Sequence, residues 1–354
     1  MQRIGRPAKS IRNAKPRIKD SSPCVSSWRQ EVERYGIPSL LRAGTQDDIV
    51  PCSFSRVWLI MQLDDMASRY LPEAVKTQIR KARMLQLGPR LLTSGSRVLP
   101  GFLLLGAQKS GTTSLFQYLM QHRQISSGFK KEIHFFDWNY AKGPSWYRAF
   151  FPTHRQVAKR TRTLGHYLCG EATPYYLFHP AVPKRVHDLL PGAKFIVVLR
   201  NPVDRAYSHF QHSLARDHET SSFEEAIERE PERLQGEEEK LLRDEAYISD
   251  PHIKRSYFSR GCYADQLLRW LEYYPKEAFS IVGTEELGAD PQRVCDTIYG
   301  FLELPPQAVQ TSRRHNAAKY SPMSKSFRAE LSRRYREHNE RLYELLGRDL
   351  GWDR

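Results

Sequence analysis

The sequence predicts an α/β fold: a single domain with a central parallel sheet flanked by helices. Three observations carry this. Phe102–Leu105 is a continuous apolar run, as in a strand buried on both faces, Lys194–Leu199 is a second clear buried strand with Phe195–Leu199 all apolar, and Phe279–Gly283 is a third, short strand. Helical patterns separate them, so strand and helix alternate along the chain. The first run also passes through a polar loop bracketed by Gly106 and Gly111 into a helical pattern that opens Thr112-Thr113-Ser114.

Composition bounds the answer before any motif is read. The chain has 354 residues, enough for one large α/β domain with extensions. We expect a basic leader without fixed structure over residues 1–45, a helical lead-in over 46–98 and the domain over 99–354. Lysine and arginine number 55 against 40 aspartates and glutamates, and the resulting charge of +15 favours acidic ligands. Seven basic residues from Arg3 to Lys19 precede the first acid, Asp20, so the leader carries nearly half of that excess. It reads as a solvated tail rather than a nucleic-acid arm.

No apolar run approaches the roughly 20 residues needed to cross a bilayer. The best early stretch, Val57–Leu63, is interrupted by Gln62 and followed by Asp64 and Asp65. A secretory apolar core with a cleavage site is absent from the N-terminal residues. The five cysteines, Cys24, Cys52, Cys169, Cys262 and Cys295, are scattered and lack metal-ligand spacing. They predict reduced thiols, a cytoplasmic setting and no structural metal.

The elements follow in order. Loose apolar recurrence from Ser53 to about Leu92 predicts one or two lead-in helices, and Pro100-Gly101 punctuates the entry to the first strand. After the first helix comes Lys130-Lys-Glu-Ile-His-Phe-Phe-Asp-Trp138. Alternation along an extended segment would put Glu132 and His134 on one face and Ile133 and Phe135 on the other. Tyr140–Pro152 reads as helical after Pro144, and Gly170–Tyr176 as an extended run that Thr173-Pro174 ends, presenting Tyr175 and Tyr176.

Helices are expected at Val182–Leu190, over the acidic stretch Phe223–Asp244 broken by Pro231 and Gly236, at Tyr263–Tyr274 with Leu267, Leu268 and Leu271 inward, and at Asp290–Leu302. The acidic stretch reads as a solvated face. A last helix carries Phe327, Leu331, Tyr335, Leu342, Leu345 and Leu346, after which Trp352 docks on the body.

Strand, glycine loop and helix in that order make an anion site, because glycines admit the ligand and the helix start offers free N–H groups. A triphosphate-binding loop would place lysine after the second glycine. Here Thr112 follows Gly111 and Lys109 lies inside the loop, which is a poor match to a magnesium-dependent kinase. At the end of the second strand stands Arg200, where a phosphate-binding guanidinium belongs in an open parallel sheet. Ser208 follows about two helical turns later.

The loop Gln108-Lys-Ser-Gly-Thr-Thr-Ser114 resembles the 5′-phosphosulfate loop of sulfotransferases that use 3′-phosphoadenosine-5′-phosphosulfate (PAPS). Lys131–Asp137, Thr173–Tyr176 and Leu199–Ser208 are similar to segments of heparan sulfate N- and 3-O-sulfotransferases, and Asn339–Trp352 to the ending of soluble bacterial members.

The resemblance implies PAPS as sulfuryl donor, with no metal required. It implies that Lys109 contacts the sulfate and bridging oxygen, and that Ser110, Gly111, Thr112, Thr113 and Ser114 form the 5′-phosphate loop. Arg200 and Ser208 would take the 3′-phosphate. Glu132 would be the general base, His134 a second catalytic candidate, and His134 with Asp137 would line the acceptor cleft. Lys319 falls in the loop that would cover the cofactor. The implied acceptor is a hydroxyl or amine, on a carbohydrate or another hydroxylated molecule, and no nucleic-acid partner is expected.

Two positions depart from the 3-O pattern. Gln108 stands where those enzymes tend to carry arginine, and Ala172 where they carry lysine, so the acceptor need not be polyanionic. A P-loop nucleotide kinase and a nucleotide- or polyanion-binding module remain the alternatives.

Overall fold

Five parallel strands form one sheet in the order β2-β3-β1-β4-β5. They are β1 Phe102–Gly106, β2 Ile125–Ser127, β3 Leu168–Ala172, β4 Lys194–Leu199 and β5 Phe279–Gly283. The computed structural model describes Leu85, residues 87–311 and residues 321–352. The expected leader, most of the lead-in and Lys319 lie outside the described residues.

The helices are α1 Thr112–Leu119, α2 Gly143–Arg148, α3 His154–Leu164, α4 Val182–Leu189, α5 Pro202–Leu214, α6 Phe223–Glu228 and α7 Glu230–Leu234. They continue with α8 Glu237–Arg243, α9 Asp250–Lys254, α10 Tyr263–Leu271, α11 Thr284–Ala289, α12 Pro291–Phe301 and α13 Lys325–Leu346. No helix among the described residues is long and apolar enough to cross a membrane.

Alternate residues of the central strands fill two cores. Leu103, Leu105, Phe195, Val197 and Leu199 pack on one face with Trp270 and Tyr274. Phe102, Leu104, Ile196 and Val198 pack on the other with Leu115, Phe116 and Leu119 of α1 and Ile298 and Tyr299 of α12. Each such buried side chain contributes about 1.5–3 kcal/mol. Strand β3 approaches β1 so closely that a Cβ at Gly170 would lie 2.1 Å from the Phe102 ring. Trp352 is buried against the first core, as its docking requires.

This topology fixes where a ligand can sit. After β1 the chain moves outward to β2 and returns through β3, and after β4 it moves to the other side. The strand order therefore reverses at β1, whose carboxyl end opens the crevice used by open α/β sheets.

Several local expectations are corrected. Glu132 to His134 is not an extended strand, for reasons given below. Leu268 is exposed on α10 rather than inward. The acidic stretch does break into helices beside Pro231 and at Gly236 as expected, but its face is not wholly solvated. Glu230 is buried, accepting hydrogen bonds from the N–H groups of Tyr257, Phe258 and Ser259 and from Ser259 Oγ. Glu237 is buried too, accepting from Lys240, Tyr247 and Ser249.

Candidate active site

The loop after β1 is shaped by its glycines. Gly106 sits where a Cβ would meet Leu177 Cβ at 2.9 Å and Pro174 O at 3.0 Å. Gly111 caps α1 in the left-handed region at φ 90°, a conformation that favours glycine. The N–H groups of Gly111, Thr112, Thr113 and Ser114 have no acceptor among the described residues, and no side chain caps α1. The buried Ser110 Oγ likewise has no hydrogen-bond partner there. Thr284, directly after β5, donates to the carbonyls of Ser110 and Leu199 at 2.7 and 3.0 Å, tying the loop to the end of β4.

Lys109 lies inside this loop with φ 70°. Burial first, and then the positive charges of Arg216, Arg200 and Arg205, together lower its amine to about 8. Arg200 follows β4, and its Nη1 donates to the Lys109 carbonyl at 3.1 Å. Asn201 caps α5 by accepting from the N–H groups of Val203 and Asp204, and Pro202 fills the first turn. Ser208 is buried on that helix, His212 follows one turn later, and Arg216, just past the helix end, bonds the His212 ring. Burial, Lys109 and Arg216 hold the His212 imidazole down at about 4.

Opposite the loop runs the segment Lys131 to Asp137. Glu132 and His134 both adopt left-handed backbone, φ 54° and 56°. Each such residue without glycine costs on the order of 1 kcal/mol. Two left-handed residues flanking Ile133 keep the expected alternation of faces, since Ile133 and Phe135 are fully buried, but they replace strand pairing by a kinked path.

Glu132 Oε2 stands 3.9 Å from His134 Nε2, and Lys131 Nζ stands 3.7 Å from Glu132 Oε1. Lys131 also donates to Thr113 Oγ1 at 2.8 Å, so this segment is joined to the first turn of α1. The Glu132 side chain remains 44% exposed, open to an incoming group.

Asp137 is placed differently from the expectation that it lines the cleft. Its side chain is buried behind His134, with Oδ2 taking the Nδ1–H at 2.6 Å and Oδ1 taking the Trp138 N–H at 2.8 Å. Both oxygens are engaged, so Asp137 orients the imidazole and leaves Nε2 towards Glu132. The ring also stacks on Trp138 at 3.8 Å between centroids.

Tyr175 and Tyr176 are buried rather than presented. Tyr175 bonds His252 at 2.7 Å, and Tyr176 bonds Glu171 at 2.9 Å. Gln108 accepts a hydrogen bond from the buried Arg260, whose guanidinium lies over Tyr175 and Phe178. The positive charge that Gln108 lacks therefore sits one residue layer behind it.

The structure thus brings Lys109 and Arg200 together at one strand-end crevice, with Thr113 and Lys131 linking it to Glu132 and His134. Sequence reasoning passed over Thr284, which the strand-end rule would have flagged. It also passed over Glu171, a carboxylate within a buried strand. Among the described residues one group, Cys262, Asp265 and His338, brings three metal-ligand atoms within 4.8 Å of one another. It lies on α10 and α13, and Asp265 there is paired with Arg341 at 2.8 Å.

Residues 99–343 match the family model described as "Sulfotransferase domain". The chain belongs to the sulfotransferase family. A mouse bifunctional heparan sulfate N-deacetylase/N-sulfotransferase 4 is 31% identical over 282 residues, covering 71% of this sulfotransferase but only 30% of that protein. Mouse heparan sulfate glucosamine 3-O-sulfotransferase 6 is 29% identical over 283 residues, covering 73% and 75%. Among solved structures, a sulfotransferase from Alicyclobacillus acidocaldarius is 30% identical. It aligns with 73% of this chain and all of its own, at a TM-score of 0.55.

Proposed function

We propose that this sulfotransferase moves a sulfuryl group from PAPS to a hydroxyl of a carbohydrate or similar hydroxylated acceptor, with Glu132 as general base. One observation carries the reading. A run of free N–H groups at Gly111–Ser114, the unpartnered Ser110 Oγ and the buried Lys109 amine line one loop, across which Lys131 reaches Thr113 beside Glu132. These donors fit a phosphosulfate: they are neutral dipoles and one cation, with no carboxylate among them to repel it.

In this reading Ser110, Gly111, Thr112, Thr113 and Ser114 hold the 5′-phosphate, and Arg200 with Ser208 holds the 3′-phosphate. Bound there, the nucleotide supplies an activated sulfuryl group and a phosphate leaving group. Lys109 offsets the charge that develops on the leaving oxygen. Glu132 takes the proton from the attacking hydroxyl, and its exposure leaves the carboxylate within reach of an acceptor. His134, fixed by Asp137, presents Nε2 to Glu132 and helps orient the acceptor. The saccharide class is suggested by the names of the heparan sulfate relatives, and the buried thiols fit a cytoplasmic setting.

The test is incubation with ³⁵S-labelled PAPS and a panel of saccharides, lipids and small alcohols. We expect label on a hydroxylated saccharide. Tight binding of 3′-phosphoadenosine 5′-phosphate (PAP) without transfer to any acceptor would point to a binding module. Turnover of ATP with magnesium in its place would overturn the reading.

A further inference from the structure

The reactive segment Glu132–Asp137 belongs to no helix or strand, yet it holds two left-handed residues in place. Its backbone partners identify what holds it. Glu132 N–H donates to the carbonyl of Ala172, at the end of β3, at 3.1 Å. The N–H groups of Phe135 and Phe136, which lie between His134 and Asp137, both donate to the hydroxyl of Tyr176, at 2.8 and 3.3 Å. A hydroxyl that accepts twice must send its own hydrogen elsewhere, and that hydrogen goes to Glu171 Oε1 at 2.9 Å.

Glu171 is fully buried on β3. Its other contacts are Thr173 Oγ1, donating to the same Oε1 at 2.8 Å, and the Tyr147 hydroxyl, donating to Oε2. No cation is paired with it among the described residues. A buried carboxyl surrounded by hydroxyls alone is costly for a core that could be apolar. What it provides here is an acceptor at Oε1, which sets the direction of the Tyr176 hydroxyl and so frees its lone pairs for the Phe135 and Phe136 amides.

The geometry points to Glu171 and Tyr176 as positioning residues that hold Glu132 and His134 in their reactive arrangement from beneath the cleft. Neither touches the reacting atoms. The inference deepens the proposed function, since it rests on Glu132 and His134 as the reactive pair.

Two near-isosteric variants separate positioning from plain core stability. Tyr176→Phe keeps the ring and removes the acceptor for both amides. Tyr147→Phe also keeps the ring and removes a hydroxyl from the same carboxyl, but from Oε2, which the segment does not touch. Glu171→Gln is the conservative variant, because its amide oxygen can replace Oε1.

Hydrogen exchange reads the inference without any turnover. Tyr176→Phe should speed exchange in the 132–138 peptide by about tenfold or more, the order expected for losing a buried hydrogen bond, and leave the 109–119 peptide unchanged. Tyr147→Phe should leave both unchanged. With PAPS and an acceptor, Tyr176→Phe should lower kcat roughly 10- to 100-fold with the affinity for PAP unaltered, as a displacement of the base predicts. Glu171→Gln should retain most of the wild-type kcat.

Equal exchange and equal kcat in Tyr176→Phe and Tyr147→Phe would overturn the assignment. If Tyr176→Phe does not fold, the wild type still decides. Phe135 and Phe136 amides that exchange at the rate of an unstructured peptide are not held by Tyr176, and the inference fails. Intact exchange effects with no sulfuryl transfer would instead count against the proposed function and leave the positioning standing.

Discussion

Arg200 donates through Nη1 to the main-chain carbonyl of Lys109 at 3.1 Å, so the residue at the end of β4 braces the lysine of the β1 loop. Only one of its guanidinium nitrogens is used in this way. Among the described residues its remaining donors have no acceptor, and Ser208 lies further along the helix that follows.

If Arg200 holds the 3′-phosphate as proposed, selectivity for that phosphate follows from its guanidinium. PAP should bind far more tightly than AMP, and Arg200→Ala should remove most of the difference, about 1.5–3 kcal/mol for each charge-assisted contact. Calorimetry with the two nucleotides checks this, and equal affinities would count decisively against the assignment.

The base is tested by Glu132→Gln, which keeps shape and removes charge. It should cut turnover roughly 10²–10⁴-fold while leaving PAP affinity nearly intact. His134→Asn should cost less, because in the structure its imidazole stands between Glu132 and the buried Asp137 rather than alone. Should Glu132→Gln keep more than about a tenth of wild-type turnover, His134 becomes the base.

On the proposed role of Lys109, nucleotide binding should depend on pH. Its amine is lowered to about 8 by burial and by the neighbouring arginines, and an anion placed beside it raises that value. The ammonium is thus favoured in the complex, so affinity is complete below about 8 and falls as pH rises through the window above it. Binding at about pH 9 should take up protons, measurable as a dependence of calorimetric enthalpy on buffer ionisation heat. Lys109→Met should abolish the uptake. Wild-type binding at that pH with no proton uptake would show that Lys109 does not face the anion.

Cys169, Cys262 and Cys295 are free and buried. A fold that does not depend on disulfides should keep its melting temperature in reductant. A fall of about 4 °C or more, the order of 1–2 kcal/mol in a domain of this size, would contradict the expectation of reduced thiols.

The sequence reveals the parts of this fold whose signals are carried by residue type. Phe102–Leu105 and Phe195–Leu199 are legible as buried strands because every position is apolar, and Gly106 and Gly111 announce the loop between β1 and α1. Strand β2 is only three residues long, too short for any period to emerge. Helix α3 is absent from the sequence reading because it buries no side chain that would give it an apolar face, and its capping box of Thr153 with Gln156 is seen only in the structure.

The site is legible in its chemistry and not in its geometry. Lys109, Arg200 and Glu132 stand out as charged groups at strand ends and in loops. The sign of φ at Glu132 and His134 leaves no mark in their side chains. Asp137 next to a histidine reads as a cleft residue, yet Arg185 holds the carbonyls of Phe136 and Asp137 at 2.9 Å and the carboxylate turns inward. Glu171 is hidden for the opposite reason: one carboxylate in an apolar run reads as an exposed strand position until the hydroxyls around it are seen.

The three left-handed residues of the site, Lys109, Glu132 and His134, also bear on how this enzyme can be lost. At each of them glycine is the residue the backbone itself would choose, and the relief of strain roughly offsets the extra freedom glycine gives the unfolded chain. Replacing Lys109 or Glu132 by glycine therefore removes a proposed reactive group at little cost to the fold, whereas the same change at His134 also strips the buried Asp137 of its partner. Natural variants of this kind would accumulate as well-folded, abundant and silent protein, invisible to cellular quality control. Selection on stability alone would not oppose them, so at Lys109 and Glu132 it falls to turnover to retain the side chain.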